Sequence, residues 1–173
     1  KTASAQFKLK PGARIDADSF GALGFAESAL ASYEVFKDLR KSGAVSPDVR
    51  FMVALPSPYN VISWGIENSS RVAVEVAYEA CLLKELQAIT QHIPHQDLSI
   101  QWDCAHDMQA FDGARTPWFS PAKPGIIDRL VRLGEAVPAA VELGYHLCYG
   151  SFGGRHFVEP KDAGAMVELI NGL

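Results

Sequence analysis

The sequence alternates between short strand-like runs and longer helical patterns, spaced at intervals of about 45 residues. Three apolar runs have the length of buried strands, and a weaker one precedes them: 49–55 (VRFMVAL), 98–104 (LSIQWDC), 142–149 (ELGYHLCY) and 6–10 (QFKLK). Helical patterns occupy four other segments: 24–42, 70–91, 124–136 and 160–171, the last beginning at Pro160. This alternation is typical of a parallel sheet with crossover helices, so we predict an α/β fold.

The number of predicted strands limits which parallel α/β fold the chain can form. A complete (β/α)8 barrel needs eight strands and about 250 residues, whereas this chain has 173. We therefore predict that residues 1–173 form a single domain that is part of a TIM (β/α)8 barrel. Three strands alone would leave open edges and a poorly covered face. We expect either a longer protein, which we favour, or a homo-oligomer in which another copy supplies the missing wall.

A small doubly wound sheet is the alternative within the same class. A doubly wound sheet that binds a nucleotide is disfavoured, because no glycine-rich phosphate loop follows the strand at 49–55.

Composition argues against several kinds of partner. The net charge is −4, with lysines and arginines scattered along the chain, so neither nucleic acid nor an anionic membrane surface is expected to bind. No run approaches the roughly 18 apolar residues that span a bilayer.

The three cysteines are widely spaced in a chain that does not need disulfides for stability. Reduced thiols and a cytoplasmic location are therefore predicted.

Polar and unusual residues follow each strand, at the carboxyl ends where parallel α/β folds place their active sites. His146 and Cys148 are two residues apart on a predicted strand, so both side chains would project to one side and could bind one zinc ion. On spacing alone, the alternatives are a buried cysteine packed beside a hydrogen-bonded histidine, or a cysteine nucleophile with awkward geometry.

Asp103 ends an apolar strand, and a buried carboxylate there needs a cation or a hydrogen-bond donor. The alternative is that Asp103 caps the following turn. Gln101 is predicted to face away from Asp103. The Cys104–His106 pair is interpreted as coincidence, because the strand is expected to break there. The glycines of 150–154 (GSFGG) are predicted to permit tight turning, with anion binding as the alternative.

Three segments carry a resemblance to a known family. The first is LPSPYNVISW at 55–64, with Leu55, Pro58 and Trp64 at the matching positions. The second is IQWDCA at 100–105, although Cys104-Ala105 stands where the family has Glu-Pro, and the third is YHLCYGSF at 145–152. In order and spacing, they resemble the C-terminal catalytic barrel of cobalamin-independent methionine synthase and its shorter relatives in the uroporphyrinogen-decarboxylase-like barrel superfamily. The match covers roughly residues 45 to 171.

The resemblance implies a zinc-dependent transferase that activates a small-molecule thiol or amino-acid substrate for methyl or alkyl transfer. The family's zinc ligands in the third motif correspond to His146 and Cys148, and its zinc holds the substrate thiol as a thiolate. The family aspartate that binds the substrate ammonium corresponds to Asp103. Ser57 and Gln101, in the first two motifs, are the other candidate substrate-binding residues. Two further zinc ligands of the family come from later strands, so zinc is expected only in a complete barrel.

Two other functions compete with this one. A metal-independent decarboxylase or lyase of the same superfamily would use Asp103 and Arg155 on an acidic substrate. A non-catalytic piece of a barrel would instead bind a partner through its open edges.

Overall fold

The computed structural model describes residues 5–173, in which helices and strands alternate. In chain order, the elements are α1 (Phe25–Lys41), β1 (Phe51–Pro56), α2 (Pro58–Gly65), α3 (Arg71–His92), β2 (Leu98–Asp103), α4 (Ala105–Phe111), α5 (Ala122–Glu135), β3 (Glu142–His146) and α6 (Gly164–Ile170). Short 3-10 helices lie at Ala17–Phe20, Asn68–Ser70, His95–Asp97 and Phe152–Gly154. None of the helices in the described chain is both long enough and apolar enough to cross a bilayer.

The three strands form one parallel sheet in the order β1-β2-β3. Leu55 pairs with Trp102, and Asp103 pairs with His146, so the carboxyl ends of neighbouring strands lie side by side. The prediction of an α/β fold with parallel β/α units is confirmed. The prediction of a weak strand at 6–10 is wrong, because Phe7 forms an isolated bridge with Ile66 instead of joining the sheet.

The two faces of the sheet have opposite character. On one face, Val53, Leu55, Ile100 and Trp102 belong to the hydrophobic core that the helices cover. The other face is solvent-accessible, and Met52 on it is 55 % exposed. A doubly wound sheet carries helices on both faces, so this one-sided arrangement does not fit that alternative.

Two segments that look like loops in the sequence are helical. Helix α2 starts immediately after β1 because the hydroxyl oxygen of Ser57 accepts the backbone N–H of Asn60 at 3.0 Å, and Pro58 occupies the first helical position. Helix α4 follows β2 after a single residue, Cys104. Both helices stand at the carboxyl edge of the sheet and bring polar side chains to it.

Two predicted boundaries in the C-terminal part are wrong. Strand β3 ends at His146, because the chain leaves the sheet and turns at Gly150, whose φ of 82° is left-handed. The last helix begins at Gly164 and not at Pro160, since Asp162 accepts the Gly164 N–H at 2.7 Å just before it.

Candidate functional site at the carboxyl edge

Three polar side chains meet where β2 and β3 end, and we call them the rim cluster: Gln101, Asp103 and His146. Nδ1 of His146 lies 3.0 Å from Oδ1 of Asp103, and Nε2 of Gln101 donates to the same oxygen at 3.0 Å. The prediction that Gln101 faces away from Asp103 is wrong, because residues two apart on a strand share a face. The cluster therefore lies on the uncovered face of the sheet.

The rim cluster remains open to a ligand. The side chains of His146 and Asp103 are 51 % and 37 % exposed. Since an ionised carboxylate can only accept hydrogen bonds, Nδ1 of His146 is the donor in this contact. In the neutral imidazole, Nε2 is then left to accept a hydrogen bond or to bind a metal. Both described contacts of the Asp103 side chain use Oδ1, which leaves Oδ2 for a cationic or hydrogen-bonding group.

Cys148 lies beyond the end of β3, so strand alternation does not fix the direction of its side chain. It is a half-buried free thiol. Burial raises the pKa of Cys104, and the charges of Asp107, Asp103 and Cys148 raise it further.

The residues do not complete a zinc site by themselves. Zinc in proteins is held by three or four protein ligands. In residues 5–173 no group of three or more His, Cys, Asp or Glu side chains is placed to hold a metal ion. His146 and Cys148 supply at most two donors, so no step of a reaction is assigned to zinc here.

Ser57 occupies a different environment from the rim cluster. It is buried, and its hydroxyl donates to Oδ2 of Asp107 at 2.5 Å while accepting the Asn60 N–H. Its backbone N–H donates to the carbonyl of Asp103 at 3.0 Å, which extends the β1–β2 ladder. With both roles of its hydroxyl occupied, Ser57 acts here as a helix cap and as a partner of Asp107.

Asp107 is the buried carboxyl group that the sequence reading missed. It is fully buried in α4, and its Oδ1 has no hydrogen-bond partner among the described residues. Burial raises its pKa to about 7, although the hydrogen bond from Ser57 acts in the opposite direction. In the sequence, Asp107 stands four residues after the end of β2, in CAHD, and this position near a strand end was the feature that could have indicated it.

His106 is the neighbouring buried titratable group. Its Nδ1 lies 2.7 Å from the Ser63 hydroxyl, and its Nε2 lies 3.5 Å from a guanidinium nitrogen of Arg115. Burial, followed by the positive charge of Arg115, lowers the pKa of His106 to about 4. Cys104 bonds instead to the carbonyl of Trp102, so the two residues of the Cys-x-His pair have separate partners.

Arg155 is exposed in the segment that follows β3, and the described hydrogen bonds of the Asp103 side chain are with Gln101 and His146. The structure therefore does not bring together the two residues that the decarboxylase or lyase alternative would use.

The chain matches no protein-family model, and the comparisons with curated proteins and with solved structures gave no match either. Fold and site together define the class: a parallel β/α protein with polar side chains gathered at the carboxyl edge of its sheet.

Proposed function

We propose that this chain is part of a (β/α)8 barrel that binds a small-molecule thiol or amino-acid substrate at the rim cluster. In this proposal, the complete barrel is a methionine-synthase-like transferase that activates a thiol for methyl or alkyl transfer. The observation that carries it is the contact between Asp103 and His146 at the carboxyl edge of a parallel sheet, where such folds bind their substrates.

The uncovered face of the sheet supports a barrel. Parallel sheets are usually covered by apolar surface on both faces. Here the second face presents polar groups, among them Ser99, Gln101, Asp103 and His146. An apolar layer over this face would leave these polar groups without hydrogen-bond partners. The lumen of a barrel near its active site is polar and accessible, so it would suit them.

Each residue of the rim cluster has a task in this proposal. Asp103 binds the ammonium group of the substrate through Oδ2, while Gln101 and His146 hold the carboxylate in place through Oδ1. His146 keeps Nε2 directed to the substrate side because Nδ1 is bound to Asp103. Zinc belongs to the proposal only as the metal of a complete barrel, with His146 and Cys148 as two of its ligands. The free cysteines fit a reducing, cytoplasmic setting.

The same contact favours a second candidate. A histidine oriented by a carboxylate is also the arrangement of a general base, which needs no metal. A metal-independent decarboxylase or lyase of the same superfamily is therefore the alternative function. The two candidate functions differ in their need for zinc: the transferase requires it, and the decarboxylase or lyase does not.

Replacing Asp103 with asparagine is expected to weaken binding of an amino thiol at least about tenfold, because a charge-assisted hydrogen bond to the ammonium group is lost. Isothermal titration of the native protein with homocysteine measures this. The matched ligand is 4-mercaptobutanoate, which lacks the amino group and whose affinity should not change. Equal losses for the two ligands would contradict the assigned role of Asp103.

Zinc content separates the two candidate functions. Elemental analysis of the longer protein that would complete the barrel, purified without chelators, is expected to find zinc in stoichiometric amount and its loss on Cys148→Ser. Cys81→Ser is the matched control, since Cys81 is buried in α3 and bonds to the carbonyl of Gly21. Zinc content that survives Cys148→Ser would refute the transferase proposal, and full activity after chelation would favour the lyase.

A further inference from the structure

A second polar cluster, separate from the side chains of the rim cluster, joins α2 to the beginning of α3, to α4 and to the segment after α4. We call it the arginine cluster, and it consists of Ser63, Arg71, His106 and Arg115. Arg71 donates to the Ser63 carbonyl at 3.0 Å, and the Ser63 hydroxyl lies 2.7 Å from Nδ1 of His106. Nε2 of His106 in turn lies 3.5 Å from Arg115. Two guanidinium groups are thus held at the ends of one short chain of contacts.

The two arginines lack a counter-charge. In the part of the chain that the structure describes, neither Arg71 nor Arg115 forms an ion pair, although both are half-buried. The acids of this region have other partners: Glu67 binds Lys8, and Glu75 binds Arg129. Asp107 accepts a hydrogen bond from the Ser57 hydroxyl. Burial lowers the pKa of Arg115, the charge of Tyr59 raises it, and the charge of Arg71 lowers it.

A buried hydroxyl group lies in the field of the same two arginines. Tyr59 is 1 % exposed, and its hydroxyl has no hydrogen-bond partner among the described residues. Its ring stacks on Trp118 with centroids 4.6 Å apart, and Arg71 lies over that indole at 5.3 Å. Burial, followed by the charge of Asp107, raises the pKa of Tyr59 to about 12, while the charges of Arg115 and Arg71 act in the opposite direction. The Tyr59 ring and Arg71 thus contact the same indole, and the Tyr59 hydroxyl beside it has no acceptor among the described residues.

We propose that the arginine cluster and the Tyr59 hydroxyl form a binding site for a small oxyanion, the phosphate or carboxylate group of a small molecule. An ionised oxygen of such a group accepts hydrogen bonds, so it would satisfy the Tyr59 hydroxyl and balance the charge of Arg115 at once. The planar fork of an arginine matches the geometry of either group. Because His106 is neutral with its Nδ1 directed at Ser63, it positions Arg115 without adding a third charge. This site is independent of the proposed function at the rim cluster.

The test is isothermal titration of the protein with inorganic phosphate and, separately, with acetate, at constant ionic strength. Arg115→Gln is expected to weaken binding at least about tenfold, because it removes a charged donor. Tyr59→Phe is expected to weaken it about fivefold, since it removes one neutral hydrogen bond and keeps the ring on Trp118. Arg132→Gln is the matched control: Arg132 pairs with Glu79 on the surface, and its loss should leave binding unchanged.

Binding of phosphate would indicate a phosphoryl ligand, and binding of acetate would indicate a carboxylate. Either result supports the proposal if Arg115→Gln and Tyr59→Phe weaken the binding. Wild-type protein that binds neither anion overturns it, and so do variants that bind as tightly as the wild type. If Arg115→Gln does not fold, Tyr59→Phe decides the question, since that change adds no polar group to the core.

Discussion

Replacing Trp102 with alanine is expected to lower the free energy of unfolding by about 4 kcal/mol, because a fully buried indole leaves a large cavity. Trp102 is 0 % exposed on the covered face of the sheet, where it is paired in register with Leu55 and Tyr145. Its indole N–H has no partner among the described residues, so the substitution removes packing without breaking a hydrogen bond. Urea denaturation followed by circular dichroism measures the loss.

The control for this experiment lies on the other face of the same sheet. Met52→Ala is expected to change stability by less than about 0.5 kcal/mol, because Met52 is 55 % exposed. Similar losses for Met52→Ala and Trp102→Ala would mean that both faces are packed. That result would contradict the one-sided sheet on which the proposed barrel lumen depends.

The second large effect is expected at Asp107, whose replacement by asparagine should remove a strong pH dependence of stability. The pKa of Asp107 is about 7 in the folded protein and about 3.8 as a free side chain. Between these values the folded state binds one proton more than the unfolded state. The contribution of the protonated Asp107 carboxyl group to the stability of the fold is therefore fully present below pH 3.8, and it is lost as the pH rises through the folded pKa.

The size of the effect follows from the two pKa values. One pKa unit corresponds to about 1.4 kcal/mol, so the wild type should lose roughly 4 kcal/mol relative to Asp107→Asn between pH 3.5 and pH 8. The difference between the two proteins is the quantity to measure, by denaturation at several pH values. The opposite trend that His106 contributes, because its pKa is lowered to about 4, is present in both proteins and cancels.

A constant difference between wild type and Asp107→Asn would contradict this prediction. It would mean that Asp107 ionises in the folded protein much as it does in water, and hence that a donor reaches its Oδ1. Ser57→Ala offers a separate check. Loss of the Ser57 hydroxyl removes a hydrogen bond that lowers the pKa of Asp107, so the total loss of stability with pH should become larger and extend to higher pH.

The sequence determined the class of fold and the place of the site. Apolar runs separated by helical patterns predicted β1, β2 and β3 and four of the six α-helices, because burial of apolar side chains depends on their spacing along the chain. The carboxyl ends of the strands were predicted to carry the polar groups, and Asp103 and His146 do meet there. The missed α2 was also encoded, in the Ser57-Pro58 start signal.

Other features were decided only by the tertiary structure. The end of β3 at His146 frees Cys148 from strand alternation, and it depends on how the chain turns at Gly150. The altered ionisation of Asp107 and His106 arises from burial by neighbouring elements, and spacing along the chain does not encode burial of that kind. Arg71 and Arg115 are 44 residues apart in sequence, and contacts through Ser63 and His106 bring them together. Local spacing fixes which face a side chain takes within one element, whereas the partners it meets depend on how separate elements pack.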